Sequence, residues 1–193
     1  MLPPIAAEIL AGRFAFYHME GGQTLGYLVA GPRGEIEAGQ RRYNCVWYRR
    51  EQDLPLVLTD RDGTSHRFSL APGQVPDAAR QRLVSNAESL LPPPFAMVVE
   101  AEPDPFVQAV FDMDAPAMVR GRLMLLGDAA FVVRPHTAMG VAKAAGDAMT
   151  LARVLSQLAL PDALEVYDRE RRRAGRLIGD YGRRLGASLE PRR

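Results

Sequence analysis

Gly127-Asp128-Ala129-Ala130-Phe131-Val132-Val133-Arg134-Pro135-His136-Thr137-Ala138-Met139-Gly140-Val141-Ala142-Lys143-Ala144-Ala145-Gly146-Asp147 is the stretch on which the reading of this chain turns. Just before it, Arg122 to Leu126 is a short apolar run. That pattern predicts a buried, parallel strand running out into a loop at Gly127-Asp128. Beyond the loop, Ala142, Ala145, Met149, Ala152 and Leu155 recur near helical spacing, which predicts a long helix over Thr137 to Leu158 with a small-residue face. Strand, tight turn, proline-fixed loop and helix start follow in that order. The first turn of such a helix presents unpaired backbone N–H groups and the positive end of its dipole, a ready site for an anionic group. Asp128, at the strand exit, is placed to accept hydrogen bonds from the hydroxyls of a polyol or ribose. An aspartate there serves equally well as a turn former or cap, and spacing alone leaves both readings open.

Upstream, the grammar is that of an antiparallel sheet. Phe14 to Trp47 reads as strands, with Leu25 to Ala30 and Arg42 to Arg49 separated by the turn signal Gly31-Pro32-Arg33-Gly34. Tyr43, Cys45 and Trp47 share one face, with Asn44, Val46 and Tyr48 on the other, so something is expected to cover each face. A second hairpin is predicted from Leu54 to Leu70 around Asp60-Arg61-Asp62-Gly63. Pro76 then opens a helix to about Leu90, ended by Pro92-Pro93-Pro94, and Phe95 to Glu100 and Phe106 to Asp112 read as further strands. Downstream, Asp162 with Glu165 three residues on predicts the capped start of a last helix.

Composition fits this picture and excludes others. With 193 residues, 47% of them hydrophobic, and a net charge of +1, the chain is long enough for a core and lacks the signature of disorder. One cysteine, Cys45, and three scattered histidines form no metal-ligand pattern, and no run approaches the roughly 18 apolar residues of a membrane span. No signal-peptide pattern opens the chain, and a cytoplasmic protein is expected, with no metal and no membrane partner. Residues 168–193 carry nine arginines against Asp168, Glu170, Asp180 and Glu190. These alternate with acids and apolar residues at helical spacing, so a solvated helix face is expected rather than a nucleic-acid surface.

The central stretch resembles a known family. Gly127-Asp128-Ala129-Ala130, then Pro135, Gly140 and Asp147-Ala148-Met149-Thr150-Leu151-Ala152, is similar to the second flavin-binding motif of the class A flavoprotein aromatic hydroxylases, the para-hydroxybenzoate hydroxylase superfamily. Arg134-Pro135-His136 and Ala142-Lys143-Ala144-Ala145, with Arg41 to Arg49 and Leu91 to Phe95 upstream, resemble the branch that contains 2,6-dihydroxypyridine 3-monooxygenase. Phe131 and Ala142 stand where the wider family often has histidine and asparagine, and both departures fit that branch. The resemblance implies FAD as cofactor, NAD(P)H as reductant, and insertion of one oxygen atom from O₂ into a small aromatic or N-heteroaromatic ring. It implies that Gly127 and Asp128 bind the cofactor, with Asp128 hydrogen-bonding the ribityl chain, that Pro135 lies against the isoalloxazine, and that the backbone of Ala138, Met139 and Gly140 faces the flavin N1 and C2 carbonyl. His136 is the candidate for accepting the substrate proton. Arg134 is a candidate for holding an anionic substrate or for capping a neighbouring helix. Asp147 is expected to anchor the helix.

The expected fold is α/β (α+β): an antiparallel or mixed substrate-domain sheet with a helix over residues 1–120, the strand, loop and long helix of a partial FAD-binding domain over 121–160, and a C-terminal helix over 161–193. No Gly-x-Gly-x-x-Gly follows an apolar strand here, and the glycines from Gly175 to Gly182 do not match it. The flavin site is therefore expected to be half encoded, with weak or no FAD binding by the isolated chain, no activity by the chain alone, and an open alanine-rich helix face that favours self-association. A homodimer is compatible with that. Two alternatives stand beside the enzyme reading: a non-catalytic remnant, and a module that binds a small aromatic ligand without flavin.

Overall fold

Side-chain alternation over Ala15–Met19 (β1), Gly22–Val29 (β2) and Arg42–Arg49 (β3) builds an antiparallel sheet in the order β1-β2-β3. This is a computed structural model describing residues 2–188, and it divides into one unit up to Ala109 and another from Val110 onward. In the first unit, Thr24 lies opposite Trp47, Gly26 opposite Cys45 and Leu28 opposite Tyr43. The Tyr43 ring occupies the space that a side chain at position 26 would fill. Tyr43, Cys45 and Trp47 pack with Tyr17 and Met19 onto a core of Ala6, Leu10, Ala87, Leu91 and Phe95. Those core residues come from Pro4–Leu10 (α1), Asp77–Leu90 (α3), the residue after α3, and Pro93–Glu100 (α4). On the other face Asn44, Val46 and Tyr48 are half-buried, while Phe16 and Phe14 beside it are 54% and 57% exposed.

Two strands of the sequence reading are helices. Leu54–Val57 (α2) replaces the first arm of the expected hairpin, because Asp53 caps it by accepting from the Leu56 N–H at 3.0 Å and Pro55 fits its first turn. The chain reversal itself remains at Asp60 to Gly63. There Asp60 Oδ1 accepts from the Asp62 and Thr64 N–H groups, and Thr59 bridges Ser65. Ser69–Leu70 (β4) then pairs with Val107–Gln108 (β5), a far shorter strand than the expected Phe106 to Asp112. The expected strand Phe95 to Glu100 lies within α4, started by the same proline run that follows α3. Pro92 is its N-cap, and Pro93 and Pro94 occupy the first turn, where a missing N–H costs nothing.

The second unit holds Met113–Asp114 (β6), Val119–Arg120 (β7), Leu123–Met124 (β8) and Phe131–Val132 (β9), paired antiparallel as β6 with β9 and β7 with β8. The buried parallel strand expected from Arg122 to Leu126 is corrected. β8 is one arm of a tight hairpin turned at Gly121, whose φ is 60°, and Leu123 is 74% exposed. Gly140–Gln157 (α5) and Leu160–Ser188 (α6) complete the unit, so that α6 starts two residues before Asp162, which lies in its first turn. The core is Met118, Ala130, Phe131, Val154, Ala163 and Tyr167. On α5 the buried row is Lys143, Asp147 and Val154, while the small-residue face of Ala142, Ala145, Met149 and Ala152 lies outward. The arginines of α6 are largely paired, Arg171 with Asp147, Arg172 with Asp168 and Arg176 with Asp114 among them. Among the described residues no helix is long and apolar enough to cross a membrane, and no cluster of three His, Cys, Asp or Glu could hold a metal.

Candidate functional site

Gly127 is bolted in place from both sides of its peptide. Extended backbone at Leu126 gives way to φ of 57° at Gly127, which starts a short 3-10 turn over Gly127–Ala129. A side chain there would be strained, and its Cβ would sit 3.3 Å from that of Ala144. The Gly127 N–H donates to Asp147 Oδ2 at 2.9 Å, and Lys143 Nζ donates to the Gly127 carbonyl at 2.7 Å. Lys143 and Asp147 lie one turn apart on α5, 2% and 1% exposed, with their charges 3.5 Å apart. Arg171 on α6 donates from Nε to Asp147 Oδ1 at 2.7 Å. One buried carboxylate thus gathers a backbone N–H, an ammonium and a guanidinium, and a group so fully satisfied fixes the turn rather than burdening the core.

The strand exit is pinned as well. The Tyr167 hydroxyl donates to the Leu125 carbonyl at 2.8 Å, its phenol pushed up to about 12 by burial. Asp168 Oδ1 accepts from the N–H groups of Met118 and Val119 at 2.7 and 3.2 Å. Asp128, the next residue along the turn, is exposed and its carboxylate has no partner among the described residues. With Gly127 held, that carboxylate stands free on a rigid mount.

The loop that follows leads into the helix start. Arg134 O accepts from the Thr137 N–H and hydroxyl at 3.3 and 3.2 Å, closing a 3-10 turn over Pro135–Thr137. Ala138 then takes φ of 52°, the one positive value at a non-glycine among the described residues. Left-handed backbone of this kind persists where the surroundings impose it, typically at functional sites. Met139 donates its N–H to Thr137 Oγ1 at 3.2 Å and serves as N-cap of α5 without a side-chain cap, the first helical bond being Lys143 N–H to Met139 O at 2.8 Å. Among the described residues the N–H groups of Gly140, Val141 and Ala142 have no hydrogen-bond partner outside the helix, and the space beside Gly140 is open.

The residues singled out in the sequence therefore fall in two neighbouring places. Gly127 and Asp128 form the turn, Pro135, Ala138, Met139 and Gly140 form the loop and helix start, and the Lys143–Gly127 bond ties the two together. Pro135 and Ala138 are exposed. Arg134 donates from Nε to Asp112 Oδ2 at 3.1 Å, while the side chain of His136 lies outside the described residues. Lys143 and Arg171 were not foreseen as parts of the site. The usable signal was the chain's sole lysine four residues before an aspartate on an alanine-rich helix.

Residues 2–112 match the family described as FAD binding domain-like, and residues 96–180 match the FAD binding domain family. Over 141 residues, 68% of this chain, it is 38% identical to 2,6-dihydroxypyridine 3-monooxygenase of Paenarthrobacter nicotinovorans, covering 34% of that protein. A shorter match, 37% over 83 residues, joins it to 6-hydroxynicotinate 3-monooxygenase of Bordetella bronchiseptica, with 41% of this chain and 22% of that one covered. The solved structure of 2,6-dihydroxypyridine-3-hydroxylase from Arthrobacter nicotinovorans superposes with a TM-score of 0.88 at 28% identity, over 98% of this chain and 48% of the other. The chain belongs to the FAD binding domain-like family, and its relatives include aromatic-ring monooxygenases. It spans about a third of the first of these hydroxylases and about half of the last. Two features fit the flavin that hydroxylases of this family employ. A carboxylate on a rigid turn has no partner among the described residues, and an uncapped 18-residue helix opens beside a glycine with clear space around it.

Proposed function

We propose that this chain supplies part of the flavin site and the substrate-domain sheet of a monooxygenase that hydroxylates a small aromatic or N-heteroaromatic ring, using FAD, NAD(P)H and O₂. The observation that carries the reading is the free Asp128 carboxylate on a turn bolted to the open N-terminus of α5. The similarity to two hydroxypyridine-type monooxygenases points to a hydroxylated pyridine as the ring. Bound there, the flavin supplies the redox chemistry, taking two electrons from NAD(P)H so that one atom of O₂ enters the ring and the other leaves as water.

The residues of this chain have distinct parts in that reading. Asp128 accepts hydrogen bonds from the ribityl hydroxyls, with Gly127 holding the turn. The N–H groups at the start of α5 and the helix dipole stabilise negative charge at the N1 and C2 carbonyl edge of the ring system, and a preorganised donor set of this kind needs no rearrangement as charge develops. Pro135 and the backbone of Ala138, Met139 and Gly140 form the wall against the ring. His136 accepts the proton of a ring hydroxyl, which makes the carbon to be hydroxylated more nucleophilic. The test is an oxygenation assay, on the flavin-loaded monooxygenase to which this chain supplies its part, with NAD(P)H and a dihydroxypyridine or hydroxynicotinate under ¹⁸O₂. Ring-dependent NAD(P)H oxidation with one ¹⁸O atom in the product is expected. Flavin-loaded protein that consumes no NAD(P)H with such rings, or releases unlabelled ring, refutes the proposal.

A further inference from the structure

The glycines of α6, which match no nucleotide-binding pattern, receive the loop of residues 131–137. Gly175, Gly182 and Gly186 lie close to one helical face, and each leaves room for a different loop residue. A Cβ at Gly175 would stand 2.7 to 2.9 Å from the Phe131 ring, one at Gly182 3.1 Å from Thr137 Cγ2, and one at Gly186 2.6 Å from Arg134 Nη1. Arg134 is fixed from a second side by Asp112, beside β6, through the 3.1 Å bond from Nε to Oδ2. The pair is part exposed, 34% and 25% at the two side chains, so charge attraction alone contributes little. What it adds is direction, because the guanidinium is held at its Nε edge while Nη1 takes the space that a Cβ at Gly186 would fill.

The backbone of Arg134 also closes the turn that precedes α5. Its carbonyl accepts both Thr137 donors, the Thr137 hydroxyl oxygen accepts from Met139 N–H, and left-handed Ala138 lies between them. We infer that Arg134 is a positioning residue: latched by Asp112 over Gly182 and Gly186, it sets the Pro135 to Gly140 backbone in the form that presents the α5 N-terminus, and it does not bind an anionic substrate. This rests on the flavin-site reading for its purpose, though the latch itself is a property of the chain without flavin.

Amide hydrogen exchange of residues 133–140 in flavin-free protein tests it, with circular dichroism confirming that each variant is folded. Asp112→Asn and Arg134→Gln should each speed exchange at Thr137, Ala138 and Met139 about tenfold, the double variant no more than either alone. Asp112→Glu should restore protection to within about twofold. Gly186→Val, with both charged partners intact, should speed exchange as well. Unchanged protection in Asp112→Asn, or additive effects in the double variant, overturns the latch. So does a loss of affinity for an anionic ring carboxylate that appears in Arg134→Gln and not in Asp112→Asn. If loop exchange responds as stated while flavin affinity stays the same in every variant, the latch stands and the flavin-site reading fails.

Discussion

Replacing Asp147 by asparagine tests the physical account of the bolted turn. The substitution keeps shape and an acceptor for the Gly127 N–H but removes the charge facing Lys143 and Arg171, whose side chains are 1% and 15% exposed. Arg171 can turn toward water, whereas Lys143 would keep only the Gly127 carbonyl. Removing one partner of a buried pair costs about 3–5 kcal/mol, and the retained amide hydrogen bond offsets about 1 kcal/mol, leaving a loss of about 2–4 kcal/mol. At a urea dependence of about 2 kcal/mol per molar, the midpoint should fall by about 1–2 M, read by far-ultraviolet circular dichroism, to which α5 and α6 contribute most of the helix. Lys143→Met should cost less, about 1–3 kcal/mol, since it orphans one carbonyl while Asp147 keeps Arg171 and the Gly127 N–H. Combined with Asp147→Asn it should recover part of the loss by removing the stranded cation. A midpoint shift below about 0.3 M for Asp147→Asn, or a double variant weaker than Asp147→Asn alone, would refute the reasoning.

Three further outcomes are expected. Gly127→Ala should cost about 1–2 kcal/mol in urea unfolding, because φ there is 57° and the added methyl meets Ala144. Asp128→Ala should leave the urea midpoint unchanged, its carboxylate having no partner among the described residues, while flavin titration shows affinity reduced about tenfold, the worth of a charge-assisted hydrogen bond. Burial pushes the Cys45 thiol from 9.0 up to about 11. The unfolded chain then loses its proton first, so this group's effect is a stability that declines as pH rises from about 9 to about 11. Alkylation by iodoacetamide at pH 8 should be slow in the native protein and fast in urea, and equal rates would contradict the burial.

The sequence made the site more legible than the strands around it. Gly127, Asp128 and the small residues of the helix start stand out by residue type, and α3 and α5 announce themselves through proline punctuation and period. Phe95 to Glu100 misled because a short apolar run has no period of its own, and the deciding fact was three prolines suited to a first turn. Arg122 to Leu126 misled for a related reason: its apolar character is real, yet a two-residue turn at Gly121 folds it back on β7. The outward face of α5 had the expected residues in the expected order. Which side faces the core was decided by Lys143 and Asp147, polar residues that periodicity discounts. Phe131, noted as a departure from the wider family, is explained by the notch at Gly175 that receives its ring.

The glycines of α6 carry one more consequence. Four of them between Gly175 and Gly186 each cost about 1 kcal/mol of helix propensity relative to alanine, enough that this half of the helix is weak on its own. The loop of residues 131–137 has no regular structure to sustain it beyond the two-residue β9 and a single turn. Each segment is therefore stable only while the other is docked, and the two should open and close as one cooperative unit. Protection of the helix amides from Gly175 onward should rise and fall with that of the loop, so whatever organises the mouth of α5 also orders the end of α6.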